Sequence, residues 1–140
     1  MPTTETPVYT AHVSVTGGRE GHAVSNDGRL DVSLSRPGAS GAGTNPEQLF
    51  AAGYAACFQS AMSSVARQKG LDVAKSVIDS SVSLYRGEGS FHLGVVLHVT
   101  VPGMDLGQIR ELVDAAHQVC PYSNATRGNI EVTLEVANEP

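Results

Sequence analysis

A segment without charged side chains, residues 48–66, constrains the fold of this chain more than any other feature. Residues 45–47, Asn-Pro-Glu, are typical of a helix start, because they supply an N-cap, a proline for the first helical position and an early acid. Gly70 is a typical helix end. We therefore predict a helix over residues 46–69. Its many Ala, Gly and Ser residues allow another backbone to approach closely, so we expect it to be central and well covered.

Alternating apolar and polar residues on either side of this helix predict β-strands. The predicted strands cover residues 8–15, 23–25 and 30–34 before the helix and residues 76–85, 91–101 and 130–136 after it. A 3.6-residue period predicts a second helix over residues 106–119, which ends at Cys120 and Pro121. The resulting order, β-β-β-α-β-β-α-β, predicts an α+β fold with antiparallel sheets packed around two central helices.

Length and composition indicate a single domain over residues 1–140. This length suffices for one compact core, and a hydrophobic fraction of 41% is too high for a disordered chain. The formal net charge of -5 makes nucleic acid a poor partner, because it would be repelled by a phosphate backbone. The N-terminus shows no secretory signal, and residues 48–66 are too polar to span a membrane, so we expect a cytoplasmic protein.

The two cysteines, Cys57 and Cys120, are too few for a disulfide scaffold or a Cys-rich zinc site. Taken singly, each has an ordinary structural interpretation, as a small apolar residue of the first helix and a small residue at a helix end. Taken together in a protein that we expect to be cytoplasmic, they favour redox or metal chemistry.

A metal site is the weaker of these two alternatives. His117 and Cys120 fall on one helical face, but a zinc ion takes about four ligands, and the His residues show no spacing that concentrates them. We therefore predict no metal, and we interpret His117 as a helix-surface residue.

For redox chemistry the reacting species is a thiolate, which needs a positive environment. Cys57 lies about three turns into its helix, beyond the reach of the helix dipole, and Cys120 lies at a helix C-terminus, where the dipole disfavours an anion. Cys57 is therefore the better candidate nucleophile and Cys120 the better resolving thiol. The activating cation must come from elsewhere in the fold. Spacing and helix position do not choose among the candidates, which are Arg19, Arg29, Arg36, Arg86, Arg110 and Arg127.

Two motifs, TNPEQLFAAGYAACF at residues 44–58 and VCPYSNATRGNIEVTL at residues 119–134, resemble the Ohr branch of the Ohr/OsmC family. The resemblance covers nearly the whole chain, including the VYTAHVSVTGGREGHA opening and the NDGRL hairpin. It implies a cysteine-based peroxidase, built as an intertwined homodimer, that reduces organic and lipid hydroperoxides to alcohols.

The same resemblance implies a role for each polar site residue. Cys57 attacks the peroxide and becomes a sulfenic acid, which condenses with Cys120 to an intramolecular disulfide. Arg19 is implied as the activating cation and Glu47 as its carboxylate partner. Dihydrolipoyl groups of a lipoylated protein are implied as the external reductant, with no bound cofactor and no metal.

The spacing of Glu47 and Cys57 adds a constraint. Ten residues of continuous helix separate them by about 15 Å, which is too far for one guanidinium to contact both side chains. Either the helix breaks, or Arg19 and Glu47 serve the Cys57 of another chain. We therefore hypothesise active sites that are shared across a homodimer interface.

Large apolar side chains could form a pocket for bulky organic peroxides, although we expect most of them to be core residues first. These candidates are Phe50, Tyr54, Phe58, Met62, Leu106 and Tyr122. Two other functions stay open: an OsmC-type peroxidase with a broader substrate range, and a redox-responsive binding protein whose thiol pair switches a surface without turnover.

Overall fold

The computed structural model describes residues 5–140, and the predicted α+β class is confirmed. The elements follow the predicted order with one added helix, α3. They are β1 (Val13–Thr16), β2 (His22–Ser25), β3 (Asp31–Ser33), α1 (Pro46–Gln68), β4 (Val77–Arg86), β5 (Phe91–Thr100), α2 (Leu106–Val119), α3 (Pro121–Thr126) and β6 (Glu131–Ala137). The chain forms two compact units that meet between Pro46 and Glu47 in the sequence. A single domain over residues 1–140 stays a prediction.

The first unit contains an antiparallel sheet in the order β1-β2-β3. β1 begins at Val13 rather than at residue 8, because β2 is short and provides partners only for the residues of β1. The connection from β1 to β2 is a tight turn in which Gly17 and Gly18 have φ angles of 76° and 56°, a conformation that favours glycine. The 3-10 segment Gly18–Glu20 follows in this turn and carries Arg19, which is half-buried.

The α1 helix starts at Pro46 as predicted and runs unbroken to Gln68, one residue short of the predicted end. Its buried residues recur every four positions: Tyr54, Phe58, Met62 and Ala66. A second stripe of small residues, Ala52, Ala56, Ser60 and Ser64, is exposed in this chain. The expectation of a well-covered helix is therefore wrong for this stripe of the single chain.

The second unit contains the sheet β4-β5-β6. β4 and β5 pair antiparallel along ten residues each, from Val77 opposite Thr100 to Arg86 opposite Phe91. β6 lies parallel to β5, so the expectation of antiparallel sheets is wrong for this one pair. The physical reason is the connection: α2 and α3 lie between the two strands in the sequence, and a crossover of this kind brings the chain back in the same direction.

The core of the second unit lies between the sheet and the helices. Fully buried Leu97 and Val99 of β5 belong to the same cluster as the buried stripe of α1 and the apolar face of α2. That face of α2 comprises Ile109, Leu112, Val113 and Ala116. The bounds of α2 match the prediction, and the Asp105 carboxylate caps its start by accepting a hydrogen bond from the Gln108 amide at 3.2 Å. Among the described helices, none has the length and apolarity needed to cross a membrane.

Candidate active site

The structure brings the two cysteines together. Cys57 lies in the middle of α1, one residue before buried Phe58, and is half-buried. Cys120 lies between α2 and α3 and is fully buried. Its thiol donates to the Cys57 sulfur, and the two Sγ atoms are 3.6 Å apart without a disulfide. Residues separated by most of the second unit in sequence thus form one thiol pair.

The break between α2 and α3 sets the position of Cys120. Its backbone is extended, with φ -67° and ψ 124°, because the Pro121 ring disfavours a helical conformation at the preceding residue. The Cys120 amide donates to the Ala116 carbonyl at 2.8 Å and closes α2, while its carbonyl accepts from the Asn124 amide at 2.9 Å and opens α3. The predicted helix end at Cys120 is confirmed, whereas α3 was not expected.

The groups around the thiol pair raise the pKa of Cys57 and so favour its protonated form. Burial raises the pKa of the Cys57 thiol, a backbone hydrogen bond from Tyr122 lowers it, and the neighbouring Cys120 thiol raises it again, so that the net pKa is above its ordinary value. A thiolate nucleophile at neutral pH therefore needs a cation, as the position of Cys57 in its helix had indicated.

The other two predicted polar residues lie in different units. Arg19 belongs to the turn between β1 and β2, and Glu47 lies in the first turn of α1. Because α1 is unbroken, Glu47 and Cys57 are about 15 Å apart along the helix axis. The alternative of a broken helix is therefore removed for this chain.

The aromatic residues predicted for the substrate side divide into two pairs. Tyr54 and Phe58 have no exposed surface and belong to the core. Phe50 and Tyr122 pack edge to face with ring centroids 6.0 Å apart, and both line an open apolar groove of about 450 Å³. The other groove residues are Leu93, Pro121, Ala125, Thr126, Asn129 and Ile130.

Gly53 leaves space for the Tyr122 ring beside α1. A Cβ atom at Gly53 would lie 2.7 Å from the Tyr122 hydroxyl oxygen, so only glycine leaves room for the ring against α1. In the sequence, Gly53 is one of many small residues of the helix, and no spacing rule distinguishes it from its neighbours.

A buried polar network that the sequence did not predict lies beside Cys120. The Tyr54 hydroxyl contacts Ser123 Oγ at 2.8 Å and Thr126 Oγ1 at 3.2 Å. Ser123 Oγ also contacts His117 Nδ1 at 2.8 Å. The interpretation of His117 as a helix-surface residue is therefore incomplete, because its ring is half-buried and hydrogen-bonded. The proline after Cys120, which can start a new helix, was the available signal for α3 and hence for Ser123.

Burial lowers the pKa of His117, and the nearby Arg127 guanidinium lowers it further, with Asp114 acting in the opposite direction. The neutral ring is therefore favoured at neutral pH. The guanidinium of Arg127 also donates to the His117 carbonyl at the end of α2. Within residues 5–140, no group of three or more His, Cys, Asp or Glu side chains is arranged to hold a metal ion.

Comparison with known proteins assigns the chain to a family. The model of the OsmC-like protein family matches residues 38–135. The organic hydroperoxide resistance protein of Xanthomonas axonopodis pv. citri is 58% identical over 142 aligned positions, which cover 98% of this chain and all of that protein. The chain belongs to the Ohr/OsmC family.

Solved structures of the family have the same fold. The crystal structure of the organic hydroperoxide resistance protein OhrB of Bacillus subtilis superposes with a TM-score of 0.89 at 48% identity, covering 94% of this chain and 100% of that one. The organic hydroperoxide resistance protein of Elizabethkingia anophelis gives a TM-score of 0.89 at 42% identity, covering 96% and 100%. The Ohr/OsmC resemblance is thus confirmed, and so is the α+β fold class.

Proposed function

We propose that this chain is a thiol-dependent peroxidase that reduces organic and lipid hydroperoxides to alcohols. The observation that carries the proposal is the approach of the Cys57 and Cys120 sulfurs to 3.6 Å. The relatives that are named organic hydroperoxide resistance proteins support the substrate class.

In the first step, the Cys57 thiolate attacks the terminal peroxide oxygen of ROOH. The O–O bond breaks, the sulfur becomes a sulfenic acid, and the alkoxide leaves as ROH after taking up a proton. Cys57 is the attacking thiol because it is half-buried, whereas Cys120 has no exposed surface.

In the second step, the Cys120 thiol attacks the Cys57 sulfenic acid. An S–S bond forms, the S–O bond breaks and one water molecule leaves. The two sulfurs must approach by about 1.5 Å to reach disulfide length. This reaction holds the oxidation of Cys57 at a reversible level.

Dihydrolipoyl groups of a lipoylated protein are the proposed external reductant, with no cofactor bound to the chain. The dithiol gives two electrons and two protons to the Cys57–Cys120 disulfide, which restores both thiols and leaves a cyclic lipoyl disulfide. This partner and a cytoplasmic location complete the proposal.

Arg19 is the proposed cation that activates Cys57, with Glu47 as its carboxylate partner. A permanent guanidinium charge would oppose the effects of burial and of Cys120, which both raise the pKa of Cys57. The same charge would stabilise the oxygen that leaves the peroxide.

A homodimer with shared, intertwined active sites is part of the proposal. It rests on unbroken α1, along which Glu47 is too far from Cys57 of its own chain for one arginine to contact both side chains. The exposed small residues of α1, such as Ala52 and Ala56, would allow a second chain to pack closely. Mixing Cys57→Ser chains with Arg19→Ala chains should restore about half of the activity per dimer, because one site regains both residues. No recovery in isolated heterodimers would exclude the shared site.

Substrate contact is proposed for Phe50 and Tyr122, which line the apolar groove. Such a lining favours a peroxide with a large apolar group over hydrogen peroxide. Tyr54 and Phe58 were also predicted to bind substrate, but their complete burial supports a role beneath the site instead.

The function is tested by turnover of cumene hydroperoxide with dihydrolipoamide as reductant. Wild type should consume cumene hydroperoxide much faster than hydrogen peroxide, and Cys57→Ser should consume neither. Gln68→Ala, at the exposed last position of the same helix, is the control and should keep full activity. Disulfide formation without turnover would instead indicate a redox switch, and equal rates with both peroxides would indicate a broader OsmC-type enzyme.

A further inference from the structure

We propose that His117 is a positioning residue that acts through Ser123 to hold Cys120 ready for disulfide formation. The inference rests on the proposed function of the Cys57–Cys120 pair and adds a residue to its second step. Neither the helical periodicity of α2 nor the proposed roles of the two thiols require a histidine at position 117.

The hydrogen bonds beside Cys120 span both sides of the helix break. His117 lies in the last turn of α2, and Ser123 lies in α3, so their 2.8 Å contact bridges the Cys120–Pro121 junction. The guanidinium of Arg127 makes a second bridge, since it donates to the His117 carbonyl and, at 2.9 Å, to the Asn124 side-chain oxygen. Cys120 is therefore enclosed by two cross-links between the helices that it joins.

The same network reaches the helix that carries Cys57. The Tyr54 hydroxyl bonds to Ser123 from α1, and Tyr54 lies one helical turn before Cys57. The path from Cys120 to Cys57 thus runs through the backbone of α3, the hydrogen bond between Ser123 and Tyr54, and the backbone of α1. A path of this kind fixes the distance between the two sulfurs.

Proton counting assigns a direction to these hydrogen bonds. Thr126 donates its hydroxyl proton to the Ser123 carbonyl at 3.3 Å, so Tyr54 must be the donor in its contact with Thr126. Ser123 must then donate to Tyr54, which leaves His117 Nδ1 as the donor to Ser123. All four of these contacts are hydrogen bonds at the same time only if His117 carries a proton on Nδ1.

This assignment makes His117 the origin of the chain of donors. A leucine at position 117 would remove the proton that Ser123 Oγ accepts and leave a buried acceptor without a partner. Asparagine keeps a donor, because its amide nitrogen is attached to the γ carbon, as Nδ1 is in histidine. Both variants lose the imidazole ring, but only His117→Leu also loses the hydrogen bond to Ser123. Comparing them therefore separates the effect of the hydrogen bond from the effect of the ring.

The experiment follows the two chemical steps separately after one equivalent of cumene hydroperoxide. Rapid quench and mass spectrometry measure loss of the Cys57 thiol and appearance of the disulfide. In His117→Leu, Cys57 oxidation should stay within about twofold of wild type, while disulfide formation slows about tenfold, as expected for a misplaced reacting group. Excess peroxide should then convert more Cys57 to sulfinic acid in this variant, because the sulfenic acid has a longer lifetime. In that reaction a second ROOH oxidises the sulfenic acid to sulfinic acid and leaves as ROH.

Three controls make the result decisive. His117→Asn should restore wild-type disulfide formation, and His98→Leu, which removes the 3.0 Å contact with Glu135 on the sheet, should change neither step. Ser123→Ala repeats the test by loss of one oxygen and serves if His117→Leu does not fold. Unchanged disulfide formation in folded His117→Leu or Ser123→Ala, or equal slowing of both steps, would overturn the inference. Absence of a disulfide in wild type would instead contradict the proposed function.

Discussion

The α1 segment around Cys57 and the α2–α3 junction around Cys120 contribute one sulfur each to a 3.6 Å pair, yet they hold it in different ways. Cys57 is half-buried in an unbroken helix, at the edge of a stripe of apolar side chains. Cys120 is fully buried at a helix break that side-chain hydrogen bonds bridge. The position of Cys57 in α1 gives one thiol access to solvent, and the hydrogen bonds around the helix break hold the other in place. This division suits a pair in which Cys57 reacts with the peroxide and Cys120 reacts only with Cys57.

Replacing each cysteine in turn by serine is expected to give the largest effects. If the two variants behave alike, the proposed difference between the two thiols is wrong. Cys57→Ser should lower peroxide turnover about 10³-fold or more, because the nucleophile is lost. Cys120→Ser should keep a rapid reaction of one peroxide per chain and then stall as a sulfenic acid. Burst kinetics with a sulfenic-acid trap measure both. A burst in Cys57→Ser would reverse the roles that we assign.

Arg19→Ala sharpens the account of the Cys57 side, where burial and Cys120 raise the pKa of the thiol. Loss of the proposed cation should lower turnover about 10²-fold, a typical effect of removing one charge-stabilising group. The pKa of Cys57, followed by the pH dependence of its alkylation, should rise above that of wild type. Arg29→Ala, at an exposed turn, is the matched control. An unchanged pKa in Arg19→Ala would remove Arg19 from the mechanism.

Tyr54→Phe tests the Cys120 side through stability. The change removes a hydroxyl that contacts Ser123 and Thr126 in the core, and it leaves their oxygen atoms short of a partner. We expect the free energy of unfolding in urea to fall by about 1–3 kcal/mol. Tyr85→Phe, at an exposed tyrosine, should change it by less than about 0.5 kcal/mol. Equal losses in the two variants would show that the network contributes nothing to stability.

The smallest expected effect concerns pH. Because burial and Arg127 lower the pKa of His117, the unfolded chain takes up the proton first as the pH falls below about 6.5. Wild type should therefore lose stability relative to His117→Asn as the pH falls from that value through the lowered pKa. Above about pH 6.5, the difference in unfolding free energy between the two proteins should not depend on pH. Urea unfolding of both proteins across this range gives the slope, and a constant difference at all pH values would contradict the lowered pKa.

Much of the fold follows from local patterns, and the exceptions have physical causes. The period of α2 and the Asn-Pro-Glu start of α1 determine their positions, because capping and amphipathicity act within one helix. The parallel placement of β6 depends on a crossover in space, so alternation within residues 130–136 could not indicate it. The late start of β1 depends on the length of its partner strand.

The site was predictable where residue chemistry alone is decisive. A pair of thiols in one chain favours redox or metal chemistry, and the helix positions favour Cys57 over Cys120 as the candidate nucleophile. The hydrogen bonds of His117 and Ser123 were not predictable, because they depend on a helix break whose geometry only the folded chain defines. Helical spacing alone does not separate core from pocket residues, and the complete burial of Tyr54 and Phe58 agrees with the expectation that most of the apolar candidates belong to the core.

The most direct test of the account is the mass of the wild-type chain after one equivalent of cumene hydroperoxide. We predict loss of two hydrogen atoms per chain, together with a peptide in which Cys57 is linked to Cys120, and full reversal by dihydrolipoamide. Oxygen added to Cys57 with Cys120 still a free thiol, or a disulfide that joins two chains, would contradict the central claim that these two sulfurs act as one intramolecular pair.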